Sequence, residues 1–248
     1  DQKAASGFVN ASLALDQARA VKDIQEQELM RKASHLNDMA MAEITHFFKE
    51  GVTETDLAEQ LKKIYRDLGA DGLSFEPLFA FGSNAASGHH WPDDTRLKPG
   101  DCILVDIGCT WEGYCSDMTR TFFYKNVTQH QQEVYHTVLK ANEEAEKAVT
   151  PGIPLSSLDQ IARGIITDKG YGSAFTHRLG HFIGLEDHEF GDVSSASADR
   201  AVPGNIFSIE PGVYLENDMG VRVEDLVLVT DHGHEILNHF SKELTVID

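Results

Sequence analysis

Leu29, Ala33, Leu36, Ala40, Ile44 and Phe47 recur every three or four positions, a spacing that puts them on one face of a helix. A second stripe, Leu57, Leu61, Ile64 and Leu68, follows Thr53, and Asp56 three residues on makes a variant of the capping box. Gly69 ends that helix. The period then changes: residues 75–81 read as a short strand and 82–92 as a loop. Residues 102–107 (CILVDI) and 117–124 (DMTRTFFY) are β-rich, and Glu112-Gly113 between them predicts a hairpin turn. The order then begins again. Val134, Val138, Ala141, Ala145 and Ala148 form a third helical stripe, and Leu158, Ile161 and Ile165 a fourth. Two further β-rich stretches, 205–210 (NIFSIE) and 221–230 (VRVEDLVLVT), come last.

The recurrence holds residue by residue. At an offset of 101, Gly51-Val52 falls on Gly152-Ile153, Leu57 on Leu158, Ile64 on Ile165 and Gly69 on Gly170. At an offset of 104, Pro99-Gly100 falls on Pro203-Gly204, Asp106 on Glu210 and Gly108 on Gly212. Each half reads helix, helix, strand, hairpin, the signature of an internal duplication. Two such halves predict an α+β domain whose antiparallel strands curve together under a cover of helices. No linker and no low-complexity tract interrupts the chain.

The hairpins carry carboxylates where a buried strand ordinarily rejects them. Asp106 lies within Ile103-Leu104-Val105-Asp106-Ile107. With a two-residue turn at Glu112-Gly113, opposed residue numbers sum to 225, so Asp117 faces Gly108 and Asp106 lies diagonally across from Asp117. Such diagonal neighbours sit roughly 7–8 Å apart, close enough to share a cation. Glu210 after Phe207-Ser208-Ile209, and Glu224 after Val221-Arg222-Val223, repeat the anomaly in the second half. Each acid taken alone also fits a solvated strand. Brought to one centre by a two-fold arrangement, the four stay ionised together only if cations neutralise them.

Histidines supply a second donor type. His177, His181 and His188 fall within HRLGHFIGLEDHE (177–189), where Gly180 and Gly184 favour a loop or strand over a helix. The loop NAASGHHWP (84–92) adds His89 and His90 just before the first acidic hairpin. Composition narrows the field. With 21 Lys+Arg against 40 Asp+Glu the formal charge is −19, which repels nucleic-acid phosphates. Hydrophobic residues at 41% and charged residues at 25% are an ordinary globular balance. No apolar run approaches the ~20 residues of a membrane span, and no basic-then-apolar leader opens the chain. Cys102, Cys109 and Cys115 form no CxxC pair and leave an odd thiol, so a disulfide framework is not expected. A soluble, cytoplasmic protein is the expectation.

Five separated motifs, in order, resemble the pita-bread metallopeptidases, which include Xaa-Pro dipeptidase (prolidase), aminopeptidase P and methionine aminopeptidase. They are NAASGHH, VDIG followed by SDMTRTF, GHFIGLEDHE, SIEPGVY and GVRVEDLVLVT, and the likeness spans about residues 20–245. The resemblance implies the pita-bread fold and two divalent metal ions held by Asp106, Asp117, His181, Glu210 and Glu224. It implies His89 and His188 as catalytic histidines, and His177 and His89 against the substrate; His90 has no assigned role, and Glu210, a ligand carboxylate beside the activated water, is the expected proton shuttle. The pair His177-x3-His181 and the run Arg222-Val223-Glu224-Asp225 resemble the Xaa-Pro branch, with Arg222 holding a metal carboxylate from behind. On this resemblance residues 1–24 are a lead-in like the junction after an N-terminal domain, and 25–248 the catalytic domain.

The function expected is hydrolysis of the Xaa-Pro bond of dipeptides or peptide N-termini. Carboxylate oxygens with one imidazole suit Mn²⁺ and also accept Co²⁺ or Zn²⁺. The partner expected is a peptide substrate, with a homodimer compatible and neither nucleic acid nor membrane involved. Two alternatives stay open at this point: a methionine aminopeptidase-like processing enzyme, and a non-catalytic binding module of the same fold.

Overall fold

Three of the five α-helices among the described residues begin on a side chain that satisfies free N–H groups of the first turn. In the computed structural model, which describes residues 11–248, a short helix α1 (Ser12–Arg19) precedes α2 (Ile24–Thr45). Asp23 caps α2 by accepting from the Gln25 and Glu26 amides. Thr53 and Asp56 close the expected capping box on α3 (Glu54–Leu68), and Gly69 ends it at φ 83°. Chain order continues through β1 (Gly72–Leu73), β2 (Leu78–Phe81), β3 (Cys102–Ile107), β4 (Cys109–Trp111), β5 (Tyr114–Cys115) and β6 (Met118–Tyr124). Then come α4 (Gln129–Lys147), α5 (Leu155–Asp168), β7 (Gly180–Phe182), β8 (Glu189–Val193), β9 (Ile206–Ile209), β10 (Gly212–Leu215), β11 (Met219–Arg222), β12 (Asp225–Val229), β13 (His234–Ile236) and β14 (Val246–Ile247).

The hairpin register is the one the turn demands. Glu112 and Gly113 both take positive φ, 47° and 85°, as a two-residue turn with the strand twist requires. Asp106 pairs with Thr119, Ile107 with Met118 and Thr110 with Cys115, all summing to 225. The ribbon is broken, however. β3 and β6 belong to a four-stranded sheet with β2 and β14, whereas β4 and β5 join β1 in a separate one. Gly108 sits at the break, where an added Cβ would lie 2.2 Å from the Ser116 carbonyl oxygen. The second half repeats the plan: β9 pairs with β12 and β10 with β11, residue numbers summing to 434 throughout.

The two halves match in detail beyond the helix order. Gly51 N–H donates to the Leu97 carbonyl and Gly152 N–H to that of Ala201. Arg96 and Arg200 donate to the carbonyls of Gly51 and Gly152. Asn37 on α2 donates to the Ile107 carbonyl, and Asn142 on α4 to that of Ile209. The expected α+β duplication is present.

Helices α2 and α3 bury Leu36, Ala40, Ile44, Leu57, Leu61 and Ile64 on Phe79, Phe81, Ile103, Val105 and Phe122. Helices α4 and α5 bury Val134, Val138, Ala141, Leu158, Ala162 and Ile166 on Phe182, Phe207, Ile209 and Val227. Cys102 and Leu104 point from β3 into this second core, and Asp106 continues their face towards the other half. Arg120 on β6 joins the halves: fully buried, it donates to the Asp225 carboxylate at 2.7 Å and the Glu224 carbonyl at 2.6 Å. Trimming Ile44, which is wholly buried, to valine is expected to cost about 1 kcal/mol. A lower urea midpoint with unchanged slope would show it.

Some expectations needed correction. The strand expected at 75–81 begins only at Leu78, and a 3-10 turn, Gly82–Ala86, opens the loop. The stretch 221–230 is two strands, β11 and β12, interrupted at Val223-Glu224. On α5 the buried stripe is Leu155, Leu158, Ala162 and Ile166; Ile161 and Ile165 are only half-buried, because the helix tilts its Ala162 side onto the sheet. Among the described residues no helix is long and apolar enough to cross a membrane.

Candidate active site

The four hairpin carboxylates sit where strands break. Asp106 is the penultimate residue of β3, Asp117 lies between β5 and β6, Glu210 between β9 and β10, and Glu224 between β11 and β12. A strand passing from one sheet to the next turns its side chain out of the pleat, and these four turn into one cleft of about 670 Å³. His181, the middle residue of β7, enters the same cleft. Gly180 before it lets the strand press on β9, since a Cβ there would lie 1.8 Å from the Ser208 carbonyl oxygen.

Donor atoms of Asp117, His181 and Glu224, all buried, lie within 4.8 Å of one another. His181 Nε2 is 3.4 Å from Asp117 Oδ2 and 3.5 Å from Glu210 Oε1. Its Nδ1 faces the Phe182 carbonyl at 3.2 Å, which holds the proton there and leaves the Nε2 lone pair towards the carboxylates. Arg222, buried on β11, donates to Asp106 Oδ2 at 2.6 Å, to the Tyr214 hydroxyl at 2.7 Å and to Thr119 Oγ1 at 2.9 Å. Thr119 in turn donates to Glu224 Oε2 at 2.6 Å. His177 Nε2 is 2.9 Å from the Tyr214 hydroxyl. Ser208 receives the His181 amide and donates to Glu210.

His188 and His89 are exposed side chains on the cleft wall, not members of the buried cluster. The His188 ring lies over that of His181 with centroids 3.8 Å apart. Its Nδ1 is 3.3 Å from Arg178 Nη2. Thus the structure brings the five ligand candidates together and sets the histidines His89, His177 and His188 around them.

Electrostatics make the cluster costly as it stands. Burial, then Glu224 and Asp106, pushes Asp117 well above the usual carboxylate range; burial, then Glu210 and Asp106, does the same to Glu224. Burial raises Glu210 to about 7, with Arg222 opposing and Asp106 adding to the rise. Burial, then His188, lowers His181 to about 3, and burial, then Arg222, lowers His177 to about 4, so both rings are neutral at pH 7. Asp106 Oδ1, Asp117 Oδ1 and Glu224 Oε1 are buried with no hydrogen-bond partner. Buried orphaned carboxylate oxygens beside a neutral imidazole nitrogen are a donor set that fits divalent cations.

The chain matches Metallopeptidase family M24 over residues 28–231. The chain belongs to that family. An uncharacterized peptidase of Staphylococcus aureus (strain MW2) is 42% identical over 96% of this M24 chain and 68% of its own length. Among solved structures, the prolidase from Pyrococcus furiosus superposes with a TM-score of 0.90 at 34% identity, covering 92% of this chain and 68% of that one. The X-Pro aminopeptidase from Thermotoga maritima superposes at 0.95 and 35% identity, covering 97% and 68%. The Xaa-Pro dipeptidase from Bacillus anthracis gives 0.92 at 33%, covering 94% and 65%. The M24 chain therefore has the pita-bread fold and is a metallo-exopeptidase, which removes the non-catalytic alternative.

Sequence reasoning missed several polar residues that support this M24 site. Thr119 was within reach, because the 225 register places it opposite Asp106. Tyr214 and Ser208 carry no spacing signal. Asp187 lies in full view in GLEDHE, yet nothing in that run says that its Oδ1 is buried and unpartnered at the cleft. Burial, then Asp106 and Glu210, raises Asp187 to about 7.

Proposed function

We propose that the protein hydrolyses the Xaa-Pro bond of dipeptides or peptide N-termini, with two divalent ions held by Asp106, Asp117, His181, Glu210 and Glu224. One observation carries this reading: four carboxylates from two matched hairpins converge with one neutral imidazole, and three of their oxygens lack any partner. Mn²⁺ suits that oxygen-rich set, with Co²⁺ or Zn²⁺ accepted. When bound, such ions polarise the scissile carbonyl and lower the pKa of water.

The chain's own residues do the rest. Glu210, whose Oε1 lies 3.5 Å from His181 Nε2 within the ligand cluster, accepts a proton from the attacking water and returns it to the leaving nitrogen. His188 and His89, on the cleft wall, donate hydrogen bonds to the developing oxyanion and the substrate carbonyl. His177, held by the Tyr214 hydroxyl, contacts the substrate beside them. Arg222 fixes the Asp106 carboxylate so that its second oxygen stays free. The named relatives that act before proline support the choice of bond.

Rates on Ala-Pro, Ala-Pro-Pro and Met-Ala-Ser, with and without Mn²⁺, test the proposal. Metal-dependent cleavage of a proline substrate supports it, whereas exclusive cleavage of Met-Ala-Ser would replace it with methionine aminopeptidase activity.

Metal binding should be coupled to protons. Glu210, raised to about 7, is partly protonated at neutral pH, and burial pushes Asp117 and Glu224 upward as well, while His181 is already neutral, so two equivalents of Mn²⁺ should bind with net proton release from the acids. Calorimetry in two buffers of different ionisation heat reads that release. The sign for stability follows from the same shifts. Groups raised above their unfolded values favour the metal-free fold below the ordinary carboxylate range, and that contribution disappears as pH rises through about 7. The gain in Tm on adding Mn²⁺ should therefore widen from pH 5 to pH 8. A constant gain would contradict the assignment.

A further inference from the structure

His89 projects from the loop between β2 and β3, and its neighbour His90, on the same cleft wall, reaches Glu54. Glu54, the first residue of α3 and wholly buried, accepts from the start of that loop and from its middle. Its Oε1 takes the Phe81 amide at 2.8 Å and Asn84 Nδ2 at 3.0 Å; its Oε2 takes the Asp93 amide at 3.1 Å and His90 Nε2 at 2.6 Å. An ionised carboxylate can only accept, so His90 carries its proton on Nε2. Asn84 also donates to Thr95 Oγ1 at 3.0 Å. One carboxylate thus ties Phe81 at the end of β2, and Asn84, His90 and Asp93 along the loop, to the rigid start of a helix.

The duplication provides an internal control. Leu155 occupies the place of Glu54 at the start of α5 and is also wholly buried. The flanking backbone is the same in both halves: the Glu54 amide bonds the Thr95 carbonyl, and the Leu155 amide that of Asp199. The helix–strand junction therefore forms without an acid. A buried carboxylate costs stability unless fully hydrogen-bonded, so its presence at this place in the first half calls for a task there. In the first half it holds the loop that bears His89, whereas the matching stretch of the second half, between β7 and β9, bears His188 and is held by Glu189, which accepts from Lys22, Arg19 and the Leu185 amide.

We propose that Glu54 and His90 are positioning residues that hold His89 at the reacting bond. The inference rests on the reading that His89 touches the substrate. Small displacements of a catalytic donor are costly in rate while leaving remote binding intact.

A double-mutant cycle tests this on Ala-Pro with Mn²⁺. His90→Leu removes the donor and is expected to lower kcat about tenfold, with KM and the bound-ion count unchanged. His90→Gln, which keeps an N–H for Glu54, should recover most of that loss. In a His89→Ala background, His90→Leu should have no further effect. Equal losses in both backgrounds, or loss of ions in His90→Leu, would overturn the proposal while leaving the peptidase reading intact. A His89→Ala variant with undiminished rate would overturn the role of His89, and the strut with it. Should His90→Leu fail to fold, Glu54→Gln, which keeps the side-chain shape, goes through the same cycle, and failure of both to fold would make the cluster a stability element only.

Discussion

Replacing Asp117 by alanine is expected to abolish turnover without destabilising the metal-free protein. Its two oxygens do different things: Oδ2 lies 3.4 Å from His181 Nε2, and Oδ1 is buried without a partner. Four carboxylates balance two divalent cations; three leave the second cation under-compensated, and its affinity should collapse. Stability moves the other way. Burial and four neighbouring acids hold Asp117 far above its usual pKa, so removing it relieves repulsion in the metal-free state. Ion content, kcat and Tm without metal check all three parts. An active variant retaining two ions would remove Asp117 from the ligand set.

His188→Ala is expected to keep both ions and slow the chemical step by about 10²–10³. The ring is exposed on the cleft wall and lies tilted by 33° over His181, with Nδ1 3.3 Å from Arg178 and Nε2 3.5 Å from Asp187, outside the buried carboxylate cluster. Deletion of an exposed ring should leave Tm little changed, so a fall in kcat at constant ion content isolates a hydrogen-bond donor. Loss of metal in this variant would make His188 a ligand instead.

The features legible from sequence are those set by local chemistry. Glu112-Gly113 dictates a left-handed turn, the turn dictates the 225 register, and the register places Asp106 diagonal to Asp117. The capping box at Thr53 and the stop at Gly69 are equally local. What stayed hidden depends on contacts distant in sequence. The break at Gly108 is imposed by Ser74 and Ser116 closing on it, and the short strands β13 and β14 exist only because β12 and β6 offer them edges. In the site, the ligand candidates and Arg222 were visible through the family resemblance and Thr119 was within reach of the 225 register, whereas the Tyr214 hydroxyl, which Arg222 and His177 both touch, carries no spacing signal. His90 is the clearest case: adjacent to His89 in sequence, it faces a glutamate thirty-six residues away.

Two hairpins with matched breaks, each carrying two acids, have a consequence for descent. A half-length chain of this plan would present its carboxylates to nothing, and only a second copy across a two-fold axis would complete the cleft. In such a pair every residue is obliged to serve twice. Joined in one polypeptide, the copies are released from that obligation. One can keep a leucine where the other acquires a glutamate, and one can grow a histidine-bearing loop while the other supplies the imidazole of β7. The peptide chain of the substrate has a direction, and a perfectly symmetric cleft could not read it.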